Sequence, residues 1–236
     1  MSINLYLAMT AAEFSNQTAL PPKIGWMACH FSCYSSGLTN LPADLPPGSM
    51  VILNDYTPPH GHDAGKIVQQ LTELIQRLSV SKVLLDFQRS GCEETYSIAK
   101  ALVQALGCPV GVSDLYAEDL SCPVFLPPPP LRRPLKDYLL PWQGREIWLE
   151  AATAQEILTL TEKGCQIDTC QVAEDFEPKF TEKKLHCQYC TQIKDDCVIF
   201  TLQRNRDDLD RLLQEAQELG VTTSIGLYQQ LKAPGQ

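Results

Sequence analysis

Met50-Val51-Ile52-Leu53-Asn54-Asp55 puts four apolar residues in a row before two polar ones, with no alternation to set one face against the other. Such a run suits a strand buried on both faces, the kind found in parallel sheets. Pro58-Pro59-His60-Gly61-His62 follows as a loop, and Asp63 is placed to cap a helix. Ile67, Leu71, Leu74, Ile75 and Leu78 then fall on one helical face, and Val83–Phe87 is a second unbroken apolar strand. Strand, helix, strand in that order predicts a parallel pair joined by a crossover.

The same order extends in both directions. Upstream lie apolar strands at Ile3–Met9 and Ile24–Phe31, joined by a polar stretch with Pro21-Pro22 and followed by the Pro- and Gly-rich loop Ser35–Gly48. Downstream come a helix over Glu93–Leu106 closed by Gly107 and a short strand at Pro109–Ser113. The strand Val124–Leu126 is cut off by Pro127–Pro130, which cannot donate ladder bonds. A short helix over Leu135–Trp142 and a strand over Glu146–Ala151 follow. The next prediction is a helix near Ala154–Lys163 stopped by Gly164. The last helix is capped by Asn205, carries the stripe Leu209, Leu212, Leu213, Ala216 and Leu219, and ends at Gly220. Val221–Leu227 is the eighth strand. Eight parallel strands alternating with helices predict an α/β fold of the (β/α)8 TIM-type, with an open doubly wound sheet as the alternative.

One segment breaks the alternation. Leu185–Arg204 reads as a β-hairpin turning at Asp195-Asp196, inserted before the final helix. Pairing Ile193 with Val198 and Thr191 with Phe200 places Tyr189, Ile193, Val198, Phe200 and Leu202 on one face. Thr169–Leu185 is polar and acidic and reads as a surface excursion. With no linker and no repeat, the expected organisation is one barrel domain over residues 1–236 with a hairpin insertion at about 185–204.

The 236 residues carry 28 acidic and 19 basic side chains, a formal charge of −9. That balance argues against nucleic acid and anionic membrane as partners, since both require clustered Lys and Arg. The first basic residue is Lys23, so no basic region precedes the first apolar run, and nowhere is there an apolar stretch of roughly 20 residues. Ten cysteines without a secretion signal are expected as reduced thiols in the cytoplasm. There is no Gly-x-Ser-x-Gly elbow and no Gly-x-Gly-x-x-Gly phosphate cradle, so no cofactor is expected.

Two segments have the composition of metal ligands. Cys187 and Cys190 are spaced as a zinc pair, but on a regular strand they point to opposite faces, so both are expected to fill small positions on a hairpin. His60-Gly61-His62-Asp63 lies after a strand and before a helix. Its two imidazoles would need a carboxylate such as Asp55, Asp86 or Asp114, and the plainer reading makes Asp63 a helix cap. No metal site is expected.

The remaining candidates stand at strand ends, where barrel sites are built. Asp55, Asp86, Asp114 and Glu150 each close a strand, with Gln88, Arg89, Tyr116, Tyr228 and Gln229 similarly placed. Carboxylates, amides and aromatics in one mouth suit sugar hydroxyls and sugar faces.

Two stretches, Gly65–Gln88 and Leu185–Leu231, resemble glycoside hydrolase family 18, the chitinase-like barrels. The segment from Val198–Leu202 through Asn205-Arg206-Asp207-Asp208-Leu209 to Gly220–Tyr228 is similar to the family's closing segment. There the last strand ends in a tryptophan under the sugar, and Tyr228 takes its place. Ser81–Gln88 resembles the fourth strand, whose signature Asp-x-x-Asp-x-Asp-x-Glu falls here on Ser81, Leu84, Asp86 and Gln88. The resemblance makes Gln88 the occupant of the general-acid position and Asp86 the aspartate that orients an N-acetyl group. It implies a glycosidase-like barrel that binds a carbohydrate or other small polar ligand without hydrolysing it, because a glutamine amide has no proton to transfer. The alternatives are an active hydrolase with relocated carboxylate or metal chemistry, and a protein-interaction module.

Overall fold

A computed structural model describes residues 3–170, 176–194 and 196–232. The chain divides into two compact units, one formed by the segments up to Pro127, Gly144–Glu150 and from Val221 onward, the other by Pro128–Gln143 and Ala151–Gly220. Asp195, half of the expected hairpin turn, lies outside the described residues.

The first unit holds eight parallel strands: β1 (Asn4–Met9), β2 (Ile24–Phe31), β4 (Met50–Asn54), β5 (Lys82–Asp86), β6 (Val110–Ser113), β7 (Val124–Leu126), β8 (Ile147–Glu150) and β14 (Thr223–Leu227). Each pairs with the next in chain order, β1 pairs with β14, and the β1–β2 pairing closes the circle. This is the (β/α)8 barrel expected from the sequence rather than an open sheet. A two-strand segment, β3 (Leu38–Thr39), folds back antiparallel on β2. Helices α1 (Ala11–Ser15), α2 (Ala64–Leu78), α3 (Glu93–Ala105), α4 (Asp114–Ala117) and α7 (Tyr228–Leu231) belong to the same unit. Asp63 caps α2 by accepting from the amides of Gly65 and Lys66. α3 ends one residue early, with Leu106 extended, so Gly107 is not its left-handed stop.

Strand parity sorts the side chains. Tyr6, Ala8, Met50, Ile52, Leu84, Phe125, Trp148 and Ile225 fill the barrel interior. Their neighbours Val51, Leu53, Val83, Leu85 and Phe87 are equally buried but on the helix side, which explains the unbroken apolar runs. Trp148 is the bulkiest interior residue. Its indole N–H donates to Glu146 at 2.9 Å, and the Lys82 ammonium sits 4.7 Å from its ring centroid. Gly111 is glycine for want of space: a Cβ there would lie 2.3 Å from a ring carbon of Trp148.

The second unit is a five-stranded antiparallel sheet in the order β10 (Gly164–Cys170), β9 (Ala154–Thr161), β13 (Cys197–Arg204), β12 (Cys187–Lys194), β11 (Phe180–Glu182). The helix expected near Ala154–Lys163 is therefore the strand β9, paired on both sides. Ile157-Leu158-Thr159-Leu160-Thr161 is better suited to a pleat than to a helix, because β-branched side chains at alternate positions stiffen the extended form. Gly164, with φ of 138°, lets the chain reverse into β10 rather than ending a helix. The surface excursion expected over Thr169–Leu185 includes the end of β10 and all of β11.

The hairpin itself is β12–β13, with Ile193 opposite Val198 and Thr191 opposite Phe200 as expected, but it is the middle of a larger sheet. Tyr189, Phe200 and Leu202 pack with Cys187 and Leu131. The short helix α5 (Leu135–Leu139) and a turn of 3₁₀-helix at Leu140–Trp142 precede the sheet, and α6 (Arg206–Glu218) follows it. Asn205 and Asp208 form a reciprocal capping box on α6. Leu209, Leu212, Leu213 and Ala216 are buried, whereas Leu219 is 41% exposed and ends the stripe.

Candidate functional site

At the mouth of the barrel, Asn54 stands beside Asp86 in the β4–β5 register, and both face the interior. Leu84 is an interior residue, so Asp86 and Gln88, two and four positions on, share its face. They line a cavity of about 620 Å³ with Met27, His30, Asn40, Ile52, Tyr56 and Arg89.

Asp55 belongs to this lining, yet its carboxylate is committed to the backbone. It is 2% exposed and accepts from the amides of Gln88 at 2.9 Å and Arg89 at 3.0 Å. The Arg89 guanidinium returns the contact by donating to the carbonyls of Asp55 and Tyr56. Asp55 therefore fixes the loop that aims Gln88. The Gln88 amide donates to Asp86. Burial raises the pKa of Asp86 and the charge of Asp55 raises it further, while the Gln88 hydrogen bond opposes both.

On the adjacent strand β2, His30 is in register with Asn54 and is tied to Asn40. The Asn40 amide nitrogen can only donate, so Nε2 of His30 accepts at 3.0 Å and Nδ1 carries the hydrogen given to the Phe31 carbonyl. Asn40 sits in the left-handed region at φ 56°, and its carbonyl accepts from the Trp26 indole. The Asn54 amide donates to the carbonyls of Met27 and Cys29, pinning an irregularity in β2 between Trp26 and Cys29. Tyr56 stands 85% exposed at the rim.

Glu150, at the end of β8, is in register with the interior residue Ile225 and so faces inward. Burial, and then the Asp86 charge, push its carboxyl up to about 7. It faces the barrel interior without lining the cavity. Asp114 opens the four-residue α4, away from the cavity, with a carboxyl raised by burial.

Three more expected residues are, like Asp114, placed away from the cavity. Tyr116 lies on the helix side of the strands, edge-on to Phe87 at 6.1 Å, with its hydroxyl donated to the Arg89 carbonyl. Tyr228 is likewise outside the interior. It packs on Met9 and Ile24, and its hydroxyl donates to Gln17 at 2.8 Å. The reason is parity: Ile225 and Leu227 point inward, so the next side chain points out. Gln229 is exposed on α7. His30, Asn40, Asn54 and Tyr56, which line the cavity, were not among the site residues expected from the sequence. Exposed Tyr56 beside the strand-end Asn54-Asp55 was the available signal.

Asp63 caps α2. His62 packs edge-on to Phe31 with Nε2 3.1 Å from the Ser32 carbonyl, and His60 is exposed. Among the described residues no three His, Cys, Asp or Glu gather as a metal site. Cys187 is buried, with its thiol pushed up to about 11, and Cys190 lies on the other face of β12. No described helix is long and apolar enough to cross a membrane.

Solved structures share this fold. The spore cortex-lytic enzyme SleL of Bacillus cereus superposes with a TM-score of 0.57 at 8% identity, over 95% of this chain and 70% of its own. SleL of Bacillus megaterium QM B1551 gives 0.54 at 9%, with the same coverage. A mutant GH18 chitinase from Cycas revoluta in complex with (GlcNAc)4 gives 0.58 at 10%, over 97% of this chain and 96% of that one. No family model and no curated protein matches the chain. The chain thus shares its barrel fold with the chitinase-like structures.

Proposed function

We propose that the barrel mouth binds a carbohydrate, with an N-acetylhexosamine oligomer the first choice, and does not hydrolyse it. The observation that carries this is the cavity itself. Amides from Asn40, Asn54 and Gln88 and the carboxylate of Asp86 offer donors and acceptors at fixed positions, and Tyr56 offers an exposed ring for an apolar sugar face. The chitinase from Cycas revoluta, which shares the fold over nearly the whole chain, is itself in complex with (GlcNAc)4.

The same strand argues against turnover. Gln88 occupies the position where the resembled signature has its acid, and its amide is engaged with Asp86. Ser81 bonds the carbonyls of Gly48 and Ser49, and Leu84 packs in the interior, so two further signature positions serve packing. Loss of a general acid costs on the order of 10²–10⁴ in rate.

Titration calorimetry with N-acetylglucosamine oligomers tests the proposal. Binding without release of reducing ends is expected, and Asp86→Ala should weaken binding at least tenfold. Turnover by the native chain, or no binding by any oligomer, defeats it. Glu150 supports a second reading as a relocated hydrolase, because a carboxyl held up to about 7 can carry a proton at neutral pH. Under that reading native turnover is present and Glu150→Gln removes it.

A further inference from the structure

One outer strand of the five-stranded sheet, β10, has few of the usual protections of a sheet edge. All seven residues of β10 are exposed, and among the described residues nothing pairs with its outer side. Natural edges are blunted by proline, lysine, bulges or shortness. β10 has no proline, no lysine and an unbroken register with β9, and its single charge is Asp168.

An independent feature leads to the same edge. Directly opposed residues share a face, so Phe180, Tyr189, Ile193, Val198, Phe200, Leu158, Leu160 and Ile167 lie on one side of the sheet. Near Leu131 and Leu202 that face is a packed core. Toward the edge it is open, with Leu160 and Ile167 each 40% exposed. An apolar surface thus runs to Ile167 and stops in water.

We propose that β10 pairs antiparallel with β10 of a second copy of this chain, about a two-fold axis through Ile167. The sequence selects this register. An axis between two residues would set the apolar face of one copy against the polar face of the other. An axis at Asp168 would oppose two carboxylates, and one at Gln166 would shorten the ladder. At Ile167 all seven residues pair: Gly164 with Cys170, Cys165 with Thr169, Gln166 with Asp168, and Ile167 with itself. Each Asp168 then meets the other copy's Gln166, an amide it already accepts from at 3.2 Å within one copy. The two sheets become one sheet with a continuous apolar face, and the contact closes as a dimer because it is isologous. A foreign strand would lack this self-complementarity.

Sedimentation analysis from about 1 to 100 μM should show a monomer–dimer equilibrium. Hydrogen exchange should show the amides of residues 164–170 gaining protection as concentration rises. Ile167→Lys and Ile167→Glu, made separately, should each weaken association at least about 100-fold, by opposing like charges and losing apolar burial. Mixed in equal amounts, they should associate as a heterodimer. A native chain that stays monomeric throughout overturns the proposal. So does a dimer whose β10 amides show no concentration-dependent protection, or one that survives both substitutions. Should either variant fail to fold, the exchange experiment on the native chain decides alone.

Discussion

Replacing Gly111 by alanine adds one methyl group to the most crowded point of the barrel. The new carbon would stand 2.3, 2.5 and 2.9 Å from three ring atoms of Trp148, where ordinary contact begins near 3.4 Å. The ring has little freedom to withdraw. It is fully buried, its N–H is held by Glu146, the Lys82 ammonium lies on its face, and Phe125 and Leu84 belong to the same buried cluster. Overpacking a filled core costs about 1–3 kcal/mol, and an immovable aromatic neighbour puts Gly111→Ala at about 3 kcal/mol. With a urea slope of about 2–3 kcal/mol/M, the unfolding midpoint should fall by about 1–1.5 M when followed by far-ultraviolet circular dichroism. Combining Gly111→Ala with Trp148→Phe should cost less than the sum of the two alone, by about 1 kcal/mol or more, because the smaller ring releases the clash. A single-variant change below about 0.5 kcal/mol, or strict additivity of the pair, would refute the packing described for the interior.

Three further outcomes follow from the same structure. Glu150 titrates near 7 when folded against 4.5 ordinarily, so the folded chain holds a proton that the unfolded chain has released between those values. Stability therefore falls as pH rises through that window and levels off above it. Glu150→Gln should abolish about 3 kcal/mol of that decline in denaturant titrations at pH 5 and pH 8. Leu212→Ala, at a position 1% exposed on α6, should cost about 2–5 kcal/mol in thermal or urea unfolding, and a change below about 0.5 kcal/mol would mean a solvated face. Tyr228→Phe should lower stability by about 1 kcal/mol through the lost bond to Gln17 and leave carbohydrate affinity unchanged by calorimetry, since that ring is outside the barrel interior.

The barrel was legible because each strand is buried on both faces and is followed by a turn signal, so Met50–Leu53 and Val83–Phe87 declare themselves without periodicity. The hairpin register was legible for the opposite reason, since one face of Tyr189–Leu202 is apolar and the other polar. The segment after Ala154 misled because Ala, Gln, Glu and Leu favour helices locally, whereas pairing with β10 and β13 decides the outcome. Asp86 and Gln88 were named from the strand end and the family signature, and they share the parity of the interior residue Leu84. The same count from Ile225 would have turned Tyr228 outward, but alignment to a tryptophan position overrode it. His30 was unreachable by counting. Gly25 and His30 both stand beside interior residues of β4, five positions apart, only because β2 shifts register between Trp26 and Cys29. Asn40 reaches the mouth through the β3 turn, which leaves no periodic trace.

The closure of β1 against β14 joins residues as far apart as Asn4 and Thr222, 218 positions along the chain. On a ribosome β1 must wait for the roughly 218 residues that separate it from β14, while β2 joins it early and its other edge stays unpaired. The sheet of the second unit is synthesised in that interval, and its strands are neighbours in sequence, so it can form before the barrel does. Any pause in synthesis before Val221 would leave two unpaired apolar edges, those of six-residue β1 and four-residue β8, exposed together. Those edges, rather than the barrel mouth, are where a chaperone or an aggregate would first find this chain.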